Sequence, residues 1–148
     1  MGPPGKGIRM RRDVSRRLIA LREAVQELSR PECGQEDTLV TDRTLRAAVE
    51  RWLQVSIEAC IDLAAHEVAA RGWTPPEYAR DAFLTLAGHG LLPLPLAKSL
   101  ASAAGLRNLL VHEYVTVDAA QLAATVRLDV KDLSEFAVHA ATWRGGTG

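Results

Sequence analysis

The chain has 148 residues, 47% of them hydrophobic and 24% charged, with a formal net charge of zero. That length suits one domain with its own core, and the apolar share is ordinary for a globular chain and too high for a disordered one. No apolar run reaches the roughly 20 residues that span a bilayer, and Met1–Gly7 lacks the hydrophobic stretch of a signal peptide, so the expectation is a cytoplasmic protein with no membrane partner.

The neutral total hides an asymmetry. Residues 1–22 carry seven cations (Lys6, Arg9, Arg11, Arg12, Arg16, Arg17, Arg22) against Asp13, a net +6, and the rest of the chain carries −6. A basic start on an acidic body suits contact with RNA phosphates or an acidic partner, although a solvated helix face gives the same composition. The expected organisation is a flexible basic arm over residues 1–12, a helical bundle over 13–143 and a disordered tail over 144–148.

Five helices and no strand are expected. The first runs from about Asp13 to Arg30 with Leu18, Leu21, Val25 and Leu28 as its stripe, and stops before Pro31. A polar, acidic loop follows to Leu39. The second and longest spans about Asp42 to Arg71 and ends at Gly72. It carries two apolar faces, one through Leu45, Val49, Trp52, Ala59 and Leu63, the other through Leu53, Ile57, Cys60, Ile61, Ala64 and Val68. Such a helix is central, or also meets a partner subunit. Thr74-Pro75-Pro76-Glu77 offers a capping Thr, a first-turn Pro and a capping-box Glu for the third helix, which continues to Gly88-His89-Gly90. A fourth starts near Leu96 after a proline-stiffened connector. Asp118, with Gln121 three residues on, caps the fifth; Leu122, Val126, Leu133, Phe136 and Val138 mark its apolar side and it ends near Trp143. Short loops between amphipathic helices give an all-α antiparallel bundle. Cys33 and Cys60 show no metal-type spacing; Cys60 fits a small core residue, and no disulfide is expected.

The end of the fourth helix, Arg107-Asn108-Leu109-Leu110-Val111-His112-Glu113-Tyr114, concentrates chemistry: a permanent cation, an amide, an imidazole and a phenol within eight residues. Arg holds phosphate, His moves a proton near neutral pH, and Tyr stacks on a base. Residues five apart on a helix are rotated by about 140°, so Arg107 and His112 do not share a narrow face, whereas Asn108 and His112 do. A reach of the long Arg side chain, or a two-fold partner placing two Arg-His sets in one cleft, would unite them.

This stretch resembles the Arg-x4-His-x-Tyr motif of HepT-like toxins in the HEPN superfamily of ribonucleases. Val117-Asp118 after it, Leu91-Leu92-Pro93 before it, and Glu50-Arg51-Trp52-Leu53-Gln54 through Ile57-Glu58-Ala59 to Ile61-Asp62 are similar too, so the resemblance covers roughly Leu18 to Phe136. It implies a homodimeric HEPN-like fold, a toxin that cleaves RNA, Arg107 and His112 as the catalytic pair, and a partner: a minimal nucleotidyltransferase (MNT-type) antitoxin that attaches AMP to the motif tyrosine, Tyr114. The matching chemistry requires neither metal nor cofactor. RNA supplies the 2′-hydroxyl nucleophile, an imidazole handles the protons, Arg107 holds the phosphate and Asn108 orients the imidazole or touches the phosphate.

Other candidates are weaker. Glu58, Asp62 and His66 repeat every four residues, a spacing that can hold a metal but lacks an evident fourth ligand. Hydrogen bonding within the bundle explains them as well, with Glu58 or Asp62 also able to line the cleft behind the catalytic groups. His89 reads as a loop residue, His139 as a residue on a helix face, and Trp52 and Trp73 as core or interface anchors. No Gly-rich phosphate loop or nucleophile elbow appears. The rival functional classes are a non-catalytic helical dimer that binds a nucleotidyltransferase or nucleic acid, and a small metal-dependent hydrolase built on Glu58, Asp62 and His66.

Overall fold

Six helices follow one another in the computed structural model, which describes the backbone over residues 5–113 and 118–143 and the side-chain surroundings over 12–105 and 118–143. They are α1 (Gly5–Leu28), α2 (Glu36–Thr41), α3 (Arg43–Ala70), α4 (Ala82–Gly88), α5 (Leu94–Glu113) and α6 (Ala119–Thr142). Short 3-10 turns at Pro31–Gly34 and Ala79–Asp81 precede α2 and α4, and no strand occurs among the described residues. The all-α expectation holds, with α2 added where only a loop was expected.

Capping explains most boundaries. Asp42 stays extended and its carboxylate accepts from the Leu45 N–H at 2.9 Å, which starts α3. Asp118 does the same for α6, accepting from the Gln121 N–H at 2.7 Å. The far ends of α3 and α4 share another device. Gly72 (φ 72°) and Gly90 (φ 78°) occupy the left-handed region. Trp73 N–H then reaches back to Val68 O at 3.1 Å and Gly72 N–H to Ala69 O at 3.0 Å. At α4 the equivalent bonds are Leu91 to Leu86 at 2.9 Å and Gly90 to Ala87 at 3.1 Å. Both are Schellman closures, which satisfy the last carbonyls of each helix.

Three expectations are corrected. Helix α1 begins at Gly5, not near Asp13, so the backbone of most of the expected arm over 1–12 is helical. Nothing between Gly5 and Leu28 breaks a helix beyond Gly7, and Arg and Met favour one. The capping box at Thr74 does not start a helix. Pro76 drives the preceding Pro75 out of helical geometry, and α-helix resumes only at Ala82, after the 3-10 turn. Val138 is 64% exposed, because it sits about 200° around α6 from the buried Phe136. The expected tail over 144–148 lies outside the described residues.

The core runs through all the long helices. Leu18, Leu21, Ala24 and Leu28 bury the stripe of α1. Phe136 on α6 meets Phe83 of α4 edge-on at 5.6 Å and Trp143 at 5.4 Å, which ties both helices to one aromatic centre. Helix α3 is central: residues from both of its apolar faces, including Val49, Leu53, Ile57, Cys60, Leu63, Ala64 and Val68, are buried within the single chain. Leu45, Trp52 and Ile61 of the same faces remain only partly buried. The buried Ser56 hydroxyl donates to Trp52 O at 2.7 Å, and the largely buried Glu67 accepts from Arg71 Nε at 2.7 Å, so neither polar group is orphaned. Both cysteines are free and buried, and burial pushes both thiols up from their ordinary range, Cys60 the further.

Candidate functional site

Helix α5 carries the Arg-to-Tyr stretch. Its first turns contain Leu94 and Pro95, and Pro93 O accepts from the Ala97 N–H at 3.0 Å. Leu96, Ala97, Leu100 and Ala104 are buried, a stripe that fixes the helix against the bundle. The backbone stays helical through Glu113. Arg107, Asn108 and His112 are thus carried on helix, as expected, but their side chains lie outside the described residues, and so does the whole of Tyr114. The helical register places positions 105, 108 and 112 along one side.

Asp62 does not stand free in a cleft. Its Oδ2 accepts from Arg17 Nε at 3.2 Å, which joins α1 to α3. Both side chains are about half exposed, so the pair adds only a few tenths to about 1 kcal/mol. Glu58 lies half-buried one turn earlier on α3. Among the described residues no group of three His, Cys, Asp or Glu side chains is arranged to hold a metal ion, so Glu58, Asp62 and His66 do not assemble the ligand set of the metal-dependent reading. Among the same residues no helix is long and apolar enough to cross a membrane.

The remaining histidines have local explanations. His89 ends α4, where its Nδ1 lies 3.0 Å from Thr85 O and its ring stacks on Trp73 at 3.7 Å. Arg71 lies over the other part of this group, 5.8 Å from the Trp73 ring centre. His139 sits on the face of α6 with Nε2 4.0 Å from Glu135. Trp52 and Trp73 are half-buried and pack against the core.

Two side chains beside α5 were not singled out from the sequence. The 3-10 turn before α4 brings Arg80 onto α5, where a Cβ placed on Gly105 would lie 3.7 Å from Arg80 Nη1. The same guanidinium lies over the Tyr78 ring, 5.2 Å from its centre, and Tyr78 is 55% exposed. Tyr-x-Arg after Pro-Pro was the available signal, but the expected helix start at Thr74 hid it. On α6, burial and then the neighbouring Asp132 push the Asp129 carboxyl up to about 6.

Comparison with known proteins fits this architecture. The family described as ribonuclease HepT-like matches residues 14–140. An mRNA nuclease HepT of Shewanella oneidensis is 35% identical over 103 residues, which cover 70% of this chain and 77% of that protein. A tRNA nuclease HepT of Aphanizomenon flos-aquae is 30% identical over 110 residues, 74% of each chain. Among solved structures, a tri-AMPylated Shewanella oneidensis HEPN toxin in complex with an MNT antitoxin superposes with a TM-score of 0.75 at 27% identity, covering 85% of this chain and 94% of that one. A toxin–antitoxin complex with AMP-PNP gives a TM-score of 0.74 at 26% identity, covering 86% and 96%. With the family match spanning most of the chain and both nuclease relatives at or above 30% identity, the chain belongs to the ribonuclease HepT-like family.

Proposed function

We propose that this protein is the toxin of a toxin–antitoxin pair, a cytoplasmic endoribonuclease that needs no metal and is silenced by a nucleotidyltransferase. The observation that carries this reading is the family match over residues 14–140, joined to a motif helix that stays helical as far as Glu113. The named activities of the mRNA and tRNA nuclease relatives support RNA as the substrate. The HEPN toxin held by an MNT antitoxin supports the partner class.

In this reading the reaction is an internal transesterification. An imidazole of His112 takes the proton of the RNA 2′-hydroxyl as its oxygen attacks the adjacent phosphorus. The bond from phosphorus to the 5′-oxygen breaks, and that oxygen takes a proton from the imidazolium of the same residue or of a two-fold mate. The products are a 2′,3′-cyclic phosphate and a 5′-hydroxyl. Arg107 grips the phosphate through two parallel N–H donors and stabilises the charge that builds on it. Asn108, one turn before His112, orients the ring or adds a phosphate contact. A homodimer bringing two such helices together supplies the second Arg-His set.

AMP on Tyr114 would switch this off. Each unit adds a negative phosphate two residues from His112, competing with RNA for Arg107 and filling the approach. The test is expression of the chain with and without a cognate nucleotidyltransferase. Growth arrest and RNA fragments ending in 2′,3′-cyclic phosphate, persisting in excess EDTA, are expected without the partner. With it, mass spectrometry should find AMP on Tyr114, and Tyr114→Phe should stay toxic. Intact RNA in cells expressing the unmodified chain would overturn the ribonuclease reading. Neutralisation with no added mass on Tyr114 would remove the modification alone.

A further inference from the structure

We propose that Tyr78 and Arg80 form an RNA-binding subsite beside the motif helix, in which the guanidinium takes a backbone phosphate and the exposed phenol ring stacks on a base. This rests on the ribonuclease reading and extends it to residues outside the Arg-x4-His-x-Tyr stretch.

The geometry has three parts. First, Arg80 is half-buried as a residue, and its guanidinium lies over the Tyr78 ring, 5.2 Å from its centre. A cation held over an aromatic face gains from the ring's quadrupole, and a planar fork fixed in this way loses little freedom when it binds phosphate. Second, its donors are unclaimed: among the described residues no carboxylate or carbonyl accepts from Arg80. The other fixed arginines differ. Arg17 pairs with Asp62, Arg30 with Glu27 and Glu32, and Arg71 with Glu67. Third, the guanidinium lies beside Gly105, its Nη1 3.7 Å from where a Cβ on that residue would sit. Gly105 shares a side of α5 with positions 108 and 112. From 105 to 112 the helix rises roughly 10 Å, about three nucleotides of a stacked strand. A single strand whose scissile phosphate lies at the motif would therefore bring a neighbouring phosphate to Arg80 and a base to the ring of Tyr78, more than half of which faces solvent. Stacking platforms paired with cations are the common device for holding single-stranded nucleic acid.

The test uses the full chain and a short single-stranded RNA with 2′-O-methyl groups. These keep phosphates and bases but remove the nucleophile, so binding is read without cleavage. Fluorescence anisotropy over a range of salt concentrations should show Arg80→Ala binding about tenfold more weakly. The slope of log affinity against log salt should become shallower by about 0.7, the value for one phosphate contact on a single strand. Tyr78→Ala should lose a similar factor with its slope unchanged, and Tyr78→Phe should bind as the parent does. Arg80→Gln keeps a long side chain over the ring and gives the same reading if Arg80→Ala unfolds. With a cleavable strand, KM should rise while kcat holds. A purely structural role for the Arg80–Tyr78 stack would not move the salt slope. Parent-like affinity and slope in folded Arg80 variants would overturn the subsite while leaving the ribonuclease reading intact if the parent still cleaves. Loss of antitoxin binding with RNA binding unchanged would overturn it as well, by assigning the patch to the protein partner. A parent chain that neither binds nor cleaves RNA would take both readings down together.

Discussion

Helix α3 runs 28 residues and buries ten of them, on both of its apolar faces. Helix α5 runs 20 residues and, up to Gly105, buries Leu96, Ala97, Leu100 and Ala104 along a single stripe. The first is enclosed by α1, α4, α5 and α6, and it ends in a closed Schellman turn. The second packs on α3, α4 and α6, and the residues of its Arg-x4-His stretch follow Gly105, the last whose side-chain surroundings are described. Under the proposed function, that difference separates stability from chemistry. A helix enclosed on two faces holds the bundle and has little surface left for a substrate. Up to Gly105, α5 is held along one stripe, and its other described positions stay at least partly exposed.

That division is broken most sharply by separating activity from stability. On α5, His112→Ala should cut RNA cleavage by roughly 10²–10⁴-fold, the usual worth of a general acid–base group, with no fall in melting temperature. Arg107→Ala should act similarly, and Arg107→Lys should recover little because the bidentate grip is lost. Undiminished cleavage by purified His112→Ala protein would sink the assignment. In the core the consequence is of the other kind. Phe136→Ala removes the ring that Phe83 and Trp143 both meet edge-on, and should cost about 3–5 kcal/mol in urea unfolding. Such a variant, where still folded, should cleave at a rate set by its folded fraction.

Much of the α3 side of this comparison was legible in the sequence, and less of the α5 side. Asp42, Gly72 and Asp118 announce their helix ends because capping is local, needing one side chain or one glycine within a few residues of the backbone it serves. The double apolar face of α3 is likewise written in its spacing, and the fold buries most of both faces within one chain while leaving Leu45, Trp52 and Ile61 partly exposed. Thr74 misled because a capping box followed by two prolines carries conflicting instructions, and the prolines prevail. Distance, as well as the same misplaced helix start, hid Arg80. Its meeting with Gly105 joins residues 25 apart in sequence, and no periodic signal reports a contact between a turn and the next helix but one. The motif residues were named from the sequence, and the side chains of Arg107 and His112 lie outside the described residues.

Two alanine substitutions sharpen the contrast, since they should have opposite signs. Gly72 closes α3 with φ at 72°, a conformation that costs an alanine about 1–2 kcal/mol. Gly72→Ala should therefore destabilise by that amount. Gly105 lies inside α5, where alanine is the better helix former by roughly 0.5–1 kcal/mol, and its new methyl would meet Arg80 at an ordinary 3.7 Å. Gly105→Ala should raise stability, measured by the midpoint of thermal unfolding. A loss at both positions would mean that α5 needs the flexibility or the space of its glycine as much as α3 needs its turn.

The effect that depends on pH is expected on α6, where Asp129 is partly buried and its carboxyl is pushed up to about 6. Burial is the main cause and Asp132 the second; Asp132 is itself raised, by burial and by Glu135, with Lys131 opposing. The folded state thus holds the Asp129 proton to a higher pH than the unfolded chain, whose carboxylates titrate near 4. By linkage, its favourable contribution is fully present below about 4 and is lost as pH rises through about 6, after which the buried charge is a constant burden. Asp129→Asn keeps the shape and removes the titration. At pH 7 it should be more stable than the parent in urea unfolding, and the gap should shrink as pH falls from above 6 towards 4. Taking the difference between the two proteins at each pH cancels the carboxylates remote from Asp129; Asp132, which faces its charge, is removed from the comparison by making both proteins Asp132→Asn. A gap that stays constant across that window would show that Asp129 titrates at its ordinary value and that its charge is accommodated in the folded chain without penalty.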